Sequence, residues 1–393
     1  MSKLLFVFER DMPTVSILRD LYRNLKSYPE IKPDFAYLTD VTPSLIDSHD
    51  LVFFIRPMDV LSFRIASRAR QAGHLVVTLC DDDLLNLPAG SPTIPWRKKG
   101  LQKALAQSDV IGSSSPNILK KYIDLTAGKR TALSDTIVKP EEFDGLDACL
   151  KKTDDVKIVY AAAPDHASLF EKYISPVTPR LGEEFGDKLS FTFVSVHPEV
   201  EGVNCNYVAG MPLMEYRKFI KEQQFDIGVA PLNNDDFSKC KYFNKFIEYT
   251  TQGIVGIYSN VEPYTYVVED TKTGFFAADD PESWYNAIRT AVKQKELRRS
   301  CLSNAIEYLK KNHSERACME RLISGIPEIL TADGPYERCG GFVFQKIEYY
   351  MSKPLDWLYL TCFFLRKTGV SGFFKRVKTH FIEAKAYKRR KEK

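Results

Sequence analysis

The chain has 393 residues, 44% hydrophobic, 27% charged and 12% aromatic. That composition builds a sizeable core and excludes a disordered, collagen-like or disulfide-stapled protein, and the length favours two domains. The formal charge of +4 hides an asymmetry: residues 341–393 hold 13 Lys+Arg against 4 Asp+Glu, so the tail carries +9 and the remainder −5.

The opening Met-Ser-Lys-Leu-Leu-Phe-Val-Phe-Glu meets charge too early for a signal peptide and reads as a first strand, Leu4 to Phe8. A helical pattern follows from Thr14 to Leu25. Leu51 to Ile55 is the next strand and Leu61 to Ala72 a helix with an Arg-rich outer face. His74 to Cys80 is a strand that ends in Asp81-Asp82-Asp83. Leu101 to Gln107 is helical, Val110 to Gly112 a short strand, and Pro116 opens another helix at its first turn. From Lys139 to Asp155 the sequence turns polar, which marks a linker. The alternation restarts at Val156 to Ala161, and further strands are expected at Leu189 to Val194, Phe225 to Ala230, Ile254 to Tyr258 and Gly274 to Ala277. Asp280-Pro281-Glu282 is a helix start, with an N-cap Asp, Pro at the first helical position and an acid in the first turn.

Strands alternating with helices imply α/β architecture with parallel sheets covered on both faces. The expected layout is two Rossmann-like doubly wound domains, 1–150 and 151–330, facing a cleft, with a helical, basic extension at 331–393. Ligands in such sheets bind at the carboxyl ends of the strands. The eight cysteines include no Cys-x-x-Cys and no His at metal spacing, so reduced thiols are expected and a structural zinc site is not.

The segment from Ala230 to Ala278 carries the chemistry. Projected as one helix, Lys241 to Gln252 places Lys241, Lys245 and Glu248 on one face and Phe243, Phe246, Ile247 and Thr250 on the other. A solvated amphipathic helix gives the same pattern. If the charged face looks into the cleft, however, two ammonium groups beside a helix N-terminus suit a diphosphate, and the carboxylate two turns on suits a pair of sugar hydroxyls.

The same residues resemble the donor-binding half of GT-B glycosyltransferases, in particular family-four-like enzymes of bacterial surface polysaccharide biosynthesis. The matching positions are Ala230-Pro231-Leu232, Lys241, Lys245, Glu248-Tyr249, Gly253-Ile254, Ser259, Pro263-Tyr264 and Gly274. The resemblance implies a donor site formed by Lys241, Lys245, Glu248, Tyr249, Pro263 and Tyr264, with Glu248 on the ribose and the lysines beside the phosphates. It implies a retaining hexosyl transfer from a nucleotide-sugar to a lipid-linked or polysaccharide acceptor, with no cofactor and no metal. The chain departs from the pattern at Cys240, where the family places an acid eight positions before Glu248. Tyr160 to His166 resembles a Tyr-x-Gly-x-x-x-His variant with Ala162 in place of the glycine. A non-catalytic nucleotide-sugar or polysaccharide-binding protein on the same fold is the alternative.

Three further features are expected at the cleft. Asp81, Asp82 and Asp83 follow a buried strand and read as acceptor-side or basic groups, with Asp82 the catalytic candidate; a helix-capping acidic loop and a metal-binding Asp-x-Asp are the other readings. His166 follows the first strand of the second domain and is the second catalytic candidate, against a loop histidine in water. Arg10, in the Glu9 to Thr14 loop after the first strand, is assigned to the acceptor side. His197 is a weaker candidate.

In the tail, Leu355 to Leu365 is too short and interrupted to span a bilayer. Aromatic residues beside cationic clusters, from Phe373 to Lys378 and at the end, fit an interfacial helix on anionic lipid; a helix crossing back onto the first domain is the other reading. Nucleic acid is not expected, because no aromatic-basic motif lies in the sheet domains. Together these features imply a cytoplasmic enzyme held peripherally on the inner face of the cell membrane.

Overall fold

A computed structural model describes residues 2–23, 25–87, 94–146, 155–163, 166–332, 334 and 336–391; beyond residue 372 it describes the helical backbone alone. Two six-stranded parallel sheets form the body. The first contains β1 (Lys3–Phe8), β2 (Lys32–Tyr37), β3 (Leu51–Ile55), β4 (Leu75–Leu79), β5 (Val110–Ser113) and β6 (Arg130–Leu133), in the order β2-β1-β3-β4-β5-β6. The second contains β7 (Val156–Ala161), β8 (Leu189–Val194), β9 (Asn204–Val208), β10 (Ile227–Ala230), β11 (Val255–Ser259) and β12 (Phe275–Ala277), in the order β12-β11-β10-β7-β8-β9. The central strands β1, β3 and β10 are buried along nearly their whole length, as a parallel sheet sandwiched between helices requires.

The order of strand addition reverses between β1 and β3 in the first sheet and between β7 and β10 in the second, so each sheet has a topological switch point where its loops part to form a crevice. Both expected helix starts are present. Pro116 opens the Pro116–Tyr122 helix, and the Asp280 carboxylate accepts from the Ser283 amide at 2.8 Å ahead of the Pro281–Lys293 helix.

Three strands were not expected from the sequence: β2, β6 and β9. All three are sheet edges. An edge strand pairs on one side and is only half covered, so it carries no continuous apolar run; β2 contains Pro33 and β9 is largely exposed.

The domain limits expected from the sequence need correction at 330. The chain leaves the second domain at His313. The Glu315–Gly325 helix packs on the first sheet, where Met319, Leu322, Ile326 and Ile329 join the core formed by Phe6, Phe53 and Val77. The chain then continues into the Val343–Lys391 helix, which packs Phe342 and Tyr349 beside Ile65 and Ala69 of the Val60–Gln71 helix on the opposite face of that sheet. Residues 315–356 therefore belong structurally to the first domain, and the return crossing is the part of the tail that is core. The expected linker lies partly outside the described residues; Phe143 and Leu146 are buried in the second domain.

Candidate functional site

A cavity of about 790 Å³ lies between the domains, at the carboxyl ends of the strands on either side of both switch points. Its first-domain wall is formed by Thr14, Arg56, Asp81, Asp82 and Ser113; its second-domain wall by His166, Ser195, Tyr216, Lys241, Lys245 and Tyr264.

On the first wall, β3 ends at Ile55 and the next residue, Arg56, has left-handed backbone geometry (φ 48°), which turns its side chain across the strand ends. Its guanidinium spans two carboxylates: Nε donates to Asp81 and Nη2 donates to Asp82 at 2.7 Å. Thr14 also donates to Asp81. Burial, and after it the charge of Asp81, push the Asp82 carboxyl above its ordinary range, opposed by Lys241 from the facing domain and by Arg56. Asp82 is thus a carboxyl poised nearer neutrality, with a cation across the cleft.

Asp83, the third carboxylate, faces away. It is fully buried, accepts from Tyr122 at 2.5 Å, Lys121 at 3.0 Å and Asn86 at 3.1 Å, and lies 3.8 Å from the Cys240 sulfur of the second domain. Burial alone would raise its pKa, but those hydrogen bonds outweigh it and hold the carboxyl below the usual range. Its acceptor-side assignment is therefore replaced by a structural one at the domain junction. Beside it Asn117 donates to the Lys239 carbonyl and to Glu262, both at 2.8 Å, and Lys121 reaches the Asp236 carbonyl. Cys240, where the resembling family has an acid, is completely buried in this junction. Arg10 is also displaced from its expected place: it is exposed and lines no part of the cavity, while its neighbours Glu9 and Asp11 pair with Arg97 and Arg19.

On the second wall, the expected helix from Lys241 is shorter. Residues Ser238–Cys240 form one tight turn, Lys241 is extended, and the helix spans Asn244–Thr251. Lys241 therefore precedes the helix rather than sharing its face. Both lysines nevertheless reach the cavity, with Asn244 of the first helical turn between them. Phe243, the N-cap, makes no side-chain cap hydrogen bond, and the Phe246 amide donates to the Phe243 carbonyl at 2.9 Å, so the first turn at the cavity carries no side-chain cap.

Glu248 stands one layer behind. Lys245 pairs with its Oε1 at 2.7 Å, and Tyr216, from the Leu213–Gln223 helix, donates to the same oxygen. Burial, then the neighbouring Glu248 charge, raise the Tyr216 pKa, which keeps the phenol a donor. Both contacts use Oε1, and Glu248 itself does not line the cavity.

Of the remaining expected residues, Tyr264 and His166 line the cavity. The Tyr160 hydroxyl donates to the His166 carbonyl at 2.8 Å and fixes the turn that carries the imidazole. Tyr249 and Pro263 do not reach it. Tyr249 is buried, donates to the Val229 carbonyl at 2.9 Å, and packs on β10 where a Cβ on Gly228 would meet its ring at 2.5 Å. Pro263 is buried behind Tyr264. Both support the wall instead of facing a ligand. His197 stacks on Tyr207 outside the cavity.

Thr14 closes the Glu9 to Thr14 loop expected at the cleft, whereas Arg56, Tyr216 and Ser195 were not singled out from the sequence. Arg56 follows a strand end at a cleft-facing position, the signal that drew attention to Asp81. Tyr216 sits in an ordinary amphipathic helix and gives no sequence signal. Among the described residues no group of three or more His, Cys, Asp or Glu side chains is arranged to hold a metal ion.

No protein-family model and no curated protein sequence matches the chain. Solved structures do match. HepE of Anabaena, solved in complex with UDP and glucose, superposes with a TM-score of 0.59 at 10% identity, covering 84% of this chain and 100% of that one. Sucrose-phosphate synthase of Thermosynechococcus elongatus gives 0.59 at 12% identity, covering 85% and 100%. The lipopolysaccharide outer core galactosyltransferase WaaB gives 0.52 at 10%, covering 84% and 100%. The fold is that of the GT-B glycosyltransferases. The Val343–Lys391 helix begins after the chain has returned to the first domain.

Proposed function

We propose that the chain is a glycosyltransferase that moves a sugar from a nucleotide-sugar to a lipid-linked or polysaccharide acceptor. The observation that carries the reading is the convergence of Lys241, Lys245 and an uncapped helix N-terminus on one side of a two-domain cavity, facing Asp82 on the other. A diphosphate seated there would meet two ammonium groups and backbone N–H donors, which together stabilise charge as the sugar–phosphate bond breaks. Glu248, oriented by Lys245 and Tyr216, takes the ribose hydroxyls. Asp82 is placed to exchange a proton with the acceptor hydroxyl, and His166 to donate to a phosphate or sugar oxygen. With the leaving charge met by lysines, the transfer is metal-independent in this reading; its family-four-like kinship and retaining hexosyl outcome are carried over from the residues quoted above.

A lipid-linked acceptor and a peripheral position on an anionic membrane are supported by the +9 tail. No helix among the described residues is long and apolar enough to cross a membrane. Incubation with a panel of nucleotide-sugars, with and without EDTA, tests the reading. Release of free nucleoside diphosphate that depends on an added acceptor supports transfer. Tight nucleotide binding without turnover would favour the non-catalytic binding protein, and loss of turnover in EDTA would overturn metal independence.

A further inference from the structure

The Val343–Lys391 helix has two opposite faces. On one, Phe342, Tyr349 and Asp356 repeat every seven residues and are buried against the first domain. On the other, Phe344, Ile347, Met351, Leu355 and Leu358 recur at spacings of three and four, which aligns them in one stripe about 21 Å long. Their exposures are 82%, 50%, 72%, 58% and 54%. Scattered apolar side chains are ordinary on a protein surface, but a continuous row of this length is not.

The stripe is rigidly mounted. On the buried side Lys353 pairs with Glu9 at 2.6 Å and Asp59 at 3.1 Å, and Asp356 accepts from Trp96 at 2.5 Å and Arg97 at 2.8 Å. Glu9 directly follows β1, so the helix is fastened at the carboxyl edge of the first sheet, the edge that opens on the cleft.

Charge selects the occupant. From Arg366 to Lys393 the sequence carries 11 Lys+Arg against 2 Glu, most of it beyond Gly369, whose non-helical backbone (φ 68°) kinks the helix. A second copy docking along the stripe would bring two such +9 segments together, which repel, whereas an anionic bilayer neutralises them. The helix also lacks the apolar length to span the bilayer, so it would lie in the interface.

We propose that the Phe344–Leu358 stripe inserts into the surface of an anionic bilayer and holds the acceptor-side half of the cleft against it, with the residues from Arg366 on gripping the headgroups. This deepens the lipid-linked acceptor reading and rests on it for its purpose, though the surface is tested independently.

The test uses the full-length chain and vesicles of phosphatidylcholine mixed with phosphatidylglycerol, at low and high salt, beside the triple variant Phe344→Ser, Met351→Ser, Leu355→Ser. The wild type should co-sediment at low salt and retain part of its binding at high salt, because apolar insertion is not screened. The variant should lose about tenfold or more at low salt and all of the salt-resistant fraction, with unchanged UDP binding by calorimetry as evidence of an intact fold. Equal co-sedimentation of both proteins would overturn the proposal. So would a wild type that is dimeric by sedimentation velocity and a variant that is monomeric yet binds vesicles equally, which would make the stripe a contact between copies. Failure of both proteins to bind any nucleotide would sink the transferase reading while the vesicle result still decides the stripe.

Discussion

The two walls of the cleft use charge in opposite ways. On the first-domain wall Arg56 is clamped between Asp81 and Asp82, and Asp83 is locked away by Tyr122 and Lys121. On the second-domain wall Lys241 lines the cavity with its ammonium over the Phe237 ring at 4.8 Å and its charge felt by Asp82 across the cleft, and Lys245 shares one carboxylate oxygen with Tyr216. The first wall sets one guanidinium against the two carboxylates that reach the cavity, and the second sets two ammonium groups against one carboxylate. In the proposed reading the first wall positions a neutral hydroxyl and manages one proton, and the second receives an anion.

The largest expected effect on stability tests whether the acidic triplet is split between structure and site. Asp83→Ala removes a buried carboxylate from three donors and leaves the Tyr122 hydroxyl without its acceptor, so the chain should lose about 3 kcal/mol of stability by chemical denaturation. Asp81→Ala, on the partly exposed side of the clamp, should lose under about 1 kcal/mol. Equal losses would erase the distinction drawn between the two residues.

Next in size are the donor-wall cations. Lys241→Ala and Lys245→Ala should each weaken nucleoside diphosphate binding by about 1–3 kcal/mol, the range for hydrogen bonds to charged groups, with thermal stability near wild type. Arg56→Ala should leave that affinity unchanged, since its charge is already committed to Asp81 and Asp82.

The pH prediction sharpens the acceptor wall. With the Asp82 pKa raised in the folded state, the folded chain holds a proton that the unfolded chain has already released just above the ordinary carboxylate range. Stability contributed by the protonated form is therefore lost as pH rises through that window. Asp82→Asn should flatten the fall in melting temperature there. If Asp82 exchanges the acceptor's proton, the same variant should also remove the acidic limb of the pH–rate profile and lower turnover by about 10²–10⁴-fold. The smallest effect is expected for Tyr216→Phe, which deletes one of the two donors that orient Glu248 and should weaken nucleotide binding by about 0.5–1.5 kcal/mol.

Much of this architecture is legible in the chain, and the exceptions have physical causes. The buried central strands announce themselves because both faces are covered: Leu51–Ile55 and Val156–Ala161 fall where the apolar runs place them. The edges β2, β6 and β9 do not, because half-covered strands need no apolar run. Lys241 and Lys245 both line the cavity, although the helix whose spacing singled them out begins three residues later than Lys241. Tyr249 was misplaced for a related reason: a helix projection cannot tell which flank meets the sheet, and only the close approach to Gly228 fixes it. Asp83 shows the same limit, since three consecutive carboxylates look alike until the backbone turns one of them inward. The return of residues 315–356 to the first domain depends on contacts far away in sequence, such as Lys353 with Glu9, 344 residues apart, which no local pattern announces.

The central claim is that Lys241 and Lys245 make the second domain's wall a diphosphate site. Calorimetric titration of UDP and GDP into wild type and the Lys241→Ala, Lys245→Ala double variant tests it most directly. Saturable binding of at least one nucleotide by the wild type, weakened about a hundredfold or more in a double variant that melts normally, is the result predicted. Undiminished binding by the double variant would contradict it.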